Sequence, residues 1–192
     1  MVGKKISEDR ALDILQSMKG RWTCAECGHV HEGLRDLVAF APDHWASEKS
    51  YEPNSSLRLD GDFLSEDFCV LGGRYFFIRG VSIFQVAGLG QSFGFGTWST
   101  LSKENFYRYL DGFDTGVLCF DAPCFGWFAN RIEPFDDTRN KPCEVHMRQG
   151  RQRPQFVLSE MDTDFARAQR DGLSAARLLQ VLKRHGHRPD YS

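Results

Sequence analysis

No run of about eighteen consecutive apolar residues occurs in this chain, so no membrane-spanning helix is expected. The amino terminus, MVGKKISEDRALDILQSM, turns acidic at Glu8 and Asp9, where a secretory leader needs an unbroken apolar stretch. An excess of one charge is missing too. Basic and acidic residues nearly balance, leaving a net charge of -2, and neither nucleic acid nor anionic lipid is attracted to such a chain in general. Catalytic signatures are also absent: there is no H-E-x-x-H and no nucleophile elbow. The glycines at 88, 90, 94 and 96 lack the lysine and the strand-to-helix setting of a phosphate loop. Internal repeats and low-complexity segments are not found. These absences predict a soluble cytoplasmic protein, with neither membrane nor nucleic acid as its partner.

Six cysteines stand at 24, 27, 69, 119, 124 and 143. Without an export signal, they read as buried thiols or metal ligands rather than disulfides. At 192 residues, 41% hydrophobic and 26% charged, the chain has the composition of one globular domain rather than of a disordered tail or a coiled coil. Sixteen phenylalanines and four tryptophans predict an aromatic-rich core or groove.

Ser7 followed by Glu8 and Asp9 reads as a helix start, with Ala11, Ile14, Leu15 and Met18 at helical spacing up to Gly20. Strand patterns cover 36–40, 68–71, 74–84 and 92–101. Gly72-Gly73 supplies a tight turn between the second and third of these, and 51–62 reads as a long polar loop. Ser102 caps a second helix ending near Gly112; 143–148 and 155–158 form another hairpin; 173–182 is a final helix. This order predicts a single α+β domain with an antiparallel sheet and flanking helices. Its divisions are an amino-terminal helix (1–21), the domain proper (22–185) and a short tail (186–192).

The most specific chemical signal is Trp22 to Leu34, WTCAECGHVHEGL, with two cysteines and two histidines within eight positions. Cys24 and Cys27 in a C-x-x-C turn bring two thiolates to one ion when the following residue, Gly28, takes an unusual backbone geometry. His31 is the nearest third ligand and His29 the next, giving Cys24, Cys27, His31 and His29 as candidate zinc ligands. All four together would strain so short a loop. A redox pair is disfavoured because the residues after Cys27 do not read as a helix whose dipole would stabilise a thiolate. A plain turn is the third alternative. Cys119 and Cys124 lie in an aromatic loop. Cys143 and His146 fall on opposite faces of a strand and cannot share an ion. Carboxylates at Asp121, Glu133, Asp136 and Asp137 could pair with His146 only on paper. The arginine-rich runs 148–154 and 183–188 read as solvated surface.

Several separated segments recur together: Cys24 to Leu34, Ala41-Pro42-Asp43 with Trp45, Phe76 to Gly80, Phe93 to Trp98, Leu101 to Phe106, Phe125 to Asn130, Arg153-Pro154 and Gln169 to Gly172. In this combination the chain resembles the bacterial domain-of-unknown-function family 2199 (DUF2199) over residues 22–185. The resemblance implies a knuckle through Cys24, Cys27 and His31. It also implies a histidine near Thr163-Asp164, which this sequence does not have. Two functional expectations follow. One is a zinc-stabilised, non-catalytic module that binds a protein or small molecule through an aromatic surface around Trp98, Phe125 and Trp127, residues that read more readily as core. The other is a metal-dependent enzyme whose zinc, on Cys24, Cys27 and His31, keeps an open position, with His29 or His146 assisting.

Overall fold

The computed structural model describes residues 6–160 and 162–189, so the first residues of the expected 1–21 segment and the end of the 186–192 tail lie outside the described residues. The first element among the described residues is α1 (Glu8–Ser17), capped by the Ser7 hydroxyl, which accepts from the Arg10 N–H. Next come β1 (Arg21–Thr23), β2 (Val30–Glu32) and β3 (Leu37–Val38), then β4 (Phe63–Leu64), β5 (Phe68–Leu71), β6 (Tyr75–Gln85) and β7 (Ser92–Leu101). After α2 (Lys103–Phe113) follow β8 (Cys124–Trp127), β9 (Pro142–His146) and β10 (Gln155–Leu158). The last elements among the described residues are α3 (Asp164–Asp171) and α4 (Ala175–Arg184). No helix among the described residues is long and apolar enough to cross a membrane.

The frame is the hairpin of β6 and β7, paired from Phe76 with Leu101 to Gln85 with Ser92. Alternate side chains leave it toward two cores. Phe76, Ile78 and Phe84 enter the larger core, to which all four helices contribute, Phe76 packing on Phe106 of α2 and Phe84 on Phe165 of α3, while Phe77 and Trp98 enter a smaller cluster with Leu64, Cys69 and Ala129. At its far edge β6 is long enough to take two partners. β5 runs antiparallel beside 75–78 and β10 runs parallel where Gln155 meets Val81. β3 likewise lies parallel to β7.

The sheet is therefore mixed, which corrects the antiparallel expectation. Apolar alternation decides which face of a strand is buried and is blind to the direction of its neighbour. The chain leaving β8 bridges back to β7, Phe128 against Ser99, so the sheet curls nearly closed. The terminal helical region also differs from expectation: 164–184 holds two helices, α3 and α4, broken at Gly172 (φ +96°), rather than one.

All six thiols are free. Cys143 is buried inside the curled sheet, 3.2 Å from the Ser99 hydroxyl, and Cys69 lies in the smaller core. Burial pushes both thiols up to about 12. Because the folded state then holds protons that the unfolded state has released, stability is complete below about pH 9 and declines as pH rises toward 12. By pH 10.5 each thiol should have cost about 2 kcal/mol. The urea midpoint measured at pH 8 and 10.5 reads this loss, and Cys69→Ala with Cys143→Ala should remove the share of these two thiols, leaving that of Tyr109 and Cys124, which burial also pushes up. Iodoacetamide at pH 8 should label exposed Cys119 and spare Cys69 and Cys143 until denaturant is added.

Candidate metal centre

Cys24 lies at the turn between β1 and β2, which pair antiparallel with Trp22 opposite His31. Short strands alone would not hold such a loop, and backbone bonds close it. The Cys24 N–H donates to the His29 carbonyl (2.9 Å) and the Gly28 N–H to the Cys24 carbonyl (2.8 Å). Gly28 sits at φ +71°, the left-handed backbone that a knuckle asks of the residue after its second cysteine. Below the turn, the Trp22 indole N–H donates to the Gly33 carbonyl at 3.0 Å, fixing the ring that packs against His31.

Among the described residues, Cys24, Cys27 and His31 bring one donor atom each to within 4.8 Å of one another. The Cys27 Sγ and His31 Nε2 are 3.2 Å apart. Around one tetrahedral zinc, neighbouring S and N donors stand roughly 3.6 Å apart, so the set fits such an ion after only small shifts. Electrostatics suit ligation. Burial pushes the Cys24 thiol up, yet hydrogen bonds from the backbone of Cys27, Arg188 and Glu26, together with the Cys27 side chain, hold it below its ordinary value. Burial lowers His31, and the neighbouring His187, Arg35 and His29 charges lower it further, which favours the neutral, metal-binding imidazole.

His29 is exposed and its ring stands outside the set; its carbonyl serves the turn instead. His146 lies on β9 with Glu144, its Nε2 2.9 Å from that carboxylate. Cys143, buried on the other face, is turned away from it, as the strand period requires. Cys124 is buried and Cys119 exposed. Of the other carboxylates, Glu133 faces Arg184 at 3.5 Å and Asp137 faces Arg139 at 3.8 Å. The arginine runs are partly neutralised: Arg153 bonds Glu66 (2.7 Å) and Asp67 (3.0 Å), and Arg188 bonds Glu26 (3.0 Å). Thr163 and Asp164 start α3: the Thr163 hydroxyl accepts from the Ala166 N–H, and Asp164 pairs with Arg177.

Two features escaped sequence reading. One is a cleft of about 760 Å³ lined by His44, Arg74, Tyr75, Phe77, Trp127 and Asn140 among others. Phe125 (58% exposed) and Trp127 (48%) lie at the surface, against the core reading of these aromatics, whereas Trp98 is fully buried in the smaller core, as that reading expects. The other is buried Arg79, whose guanidinium lies 5.9 Å from both the Tyr51 and Trp98 rings and donates to the Glu66 carbonyl at 3.1 Å. An arginine inside the apolar run 75–84 was the available signal for it.

No curated protein and no solved structure matches the chain. A family described as uncharacterized protein conserved in bacteria (DUF2199) matches residues 23–173, from the residue before Cys24 into the α3–α4 turn, and the chain belongs to that family.

Proposed function

We propose that this protein is a zinc-stabilised, non-catalytic binding module that takes a protein segment or a small ligand in the cleft over Trp127. The observation that carries the reading is the separation of two features. The donors Cys24, Cys27 and His31 converge at a turn stitched to the rest of the chain, while the cleft shares none of its lining residues with that turn. An ion at the turn would staple a loop whose own strands are three residues long, and two thiolates with imidazole suit zinc among common metals. The cleft has the size of a small-molecule site, with aromatic walls at Tyr75, Phe77 and Trp127 and polar groups at His44, Arg74 and Asn140.

Elemental analysis of the purified protein should find about one zinc per chain, and Cys24→Ser with Cys27→Ser should abolish it. Absence of stoichiometric metal from the parent protein would remove the staple. For the cleft, ligands found by a thermal-shift screen should lose their effect in Tyr75→Ala, Trp127→Ala, and binding that survives this change would place the site elsewhere.

A further inference from the structure

We propose that His187 is the fourth metal ligand, and that the ion clasps the carboxyl-terminal tail onto the β1–β2 turn. The proposal rests on the metal reading of Cys24, Cys27 and His31 and completes it. Position 187 lies beyond the residues matched to the family and is far from the ligands in sequence, so nothing in the local C-x-x-C spacing points to it.

The end of α4 brings it there. His185 closes the helix and Gly186 takes φ +78°; the Gly186 N–H donates to the Lys183 carbonyl (3.2 Å) and the His187 N–H to the Leu182 carbonyl (2.8 Å). This pair of bonds around a left-handed glycine reverses the chain direction and satisfies the last helical carbonyls. The tail then runs across the knuckle. The Ala25 N–H donates to the Arg188 carbonyl at 2.7 Å, Cys24 bridges to Pro189, and Arg188 reaches Glu26. The Gly186 carbonyl lies 3.7 Å from the Cys24 sulfur. Residues on both sides of His187 are thus held against the C-x-x-C turn.

The two imidazoles are spaced for one ion. Rings bound through nitrogen to a tetrahedral zinc at about 2.0–2.1 Å keep their centres roughly 5.2 Å apart. The centres of His31 and His187 are 5.2 Å apart, with planes at 82°. They also line one small cavity of about 200 Å³, with Trp22, Leu34 and Leu182 beside them and the charged Arg35 and Asp36 completing its wall. The His187 nitrogens stand outside the 4.8 Å donor set, so this half-buried ring must turn toward the other three ligands. The completed set, two thiolates and two imidazoles, is that of a closed structural site rather than of an ion with an open position for water.

The test compares zinc affinity, and the absorption of the cobalt-loaded protein, for the full chain and for His187→Ala, His187→Cys and His29→Ala. His187→Ala should weaken zinc binding more than about 100-fold, since even groups that only orient a ligand contribute 10–100-fold. His187→Cys should keep the metal and raise the sulfur-to-cobalt charge-transfer band by about half, following the thiolate count, a gain that a merely structural histidine could not produce. His29→Ala should change neither. A parent protein that binds no zinc or cobalt overturns the metal reading itself. Zinc binding in the parent with affinity and spectrum unchanged in both His187 variants overturns only the role of His187, and loss on His29→Ala instead would give the position to His29.

Discussion

Gly80→Ala should destabilise the chain by about 3 kcal/mol, a large effect for one added methyl group. Gly80 stands on β6 where its outer edge passes from β5 to β10: the Arg79 N–H donates to the Asp67 carbonyl (3.0 Å) and the Val81 N–H to the Pro154 carbonyl (2.8 Å). A Cβ at position 80 would stand 2.3 Å from the Phe156 Cζ and 2.6 Å from the Pro154 oxygen, far inside van der Waals contact with both. Phe156 is fully buried, so the ring cannot turn aside without opening the core, and a carbonyl within a strand contact cannot retreat without losing its bond. The strain therefore falls on the β6–β10 seam, which joins the two halves of the sheet. Urea titration reads the total loss, and amide exchange should accelerate first at Val81 while Phe77 remains protected. Gly20→Ala, with nothing within 4 Å of the added carbon and no left-handed φ, should change stability by less than about 0.5 kcal/mol.

This seam explains why some of the fold was legible and some was not. Gly72-Gly73 between two apolar runs marked the β5–β6 turn, and both glycines have positive φ, at +56° and +63°. Ser7 and Ser102 marked helix starts, and both hydroxyls accept from the expected backbone N–H groups. Such signals depend on neighbours in sequence. The parallel contacts of β10 with β6 and β3 with β7 depend on residues far apart, and their apolar patterns would read the same for either direction. α3 was missed because its sequence, DFARAQRD, has few large apolar residues; it buries Phe165 and two alanines and relies on the Thr163 cap.

The site divides in the same way. Cys24, Cys27 and His31 were legible because a turn of eight residues constrains its own geometry, with Gly28 in the required conformation. His187 was not, since it arrives by way of Gly186 at the end of a helix 150 residues later in the chain. Trp98, Phe125 and Trp127 all read more readily as core, which holds for Trp98 and fails for the other two. Strand period does not report how many layers cover a sheet, and a second small core covers the face toward which Trp98 points.

That second core depends on one polar side chain, and Asn130→Ala should cost about 3–5 kcal/mol. Asn130 is 2% exposed. Its Oδ1 accepts from the Trp98 N–H at 2.9 Å, and its Nδ2 donates to the Ala41 carbonyl at 2.8 Å and to the Asp43 carboxylate at 2.9 Å. Three segments that carry the family resemblance, around Ala41, Trp98 and Asn130, thus meet at one amide. Truncation leaves the buried Trp98 N–H and the half-buried Ala41 carbonyl without their partner, at about 1–3 kcal/mol each, the second reduced by whatever water reaches it. The loss should appear as a lower urea midpoint and altered near-ultraviolet dichroism from Trp98, with the helical signal retained, because the larger core does not use this amide. Asp43 also accepts from the Arg131 N–H at 2.7 Å and donates from its own N–H to the Ala129 carbonyl at 3.0 Å, so it holds the same loop from the other side. In a double-mutant cycle with Asp43→Ala the two losses should therefore fall short of additive by about 1 kcal/mol or more. Full additivity would mean that Asn130 and Asp43 brace the smaller core independently.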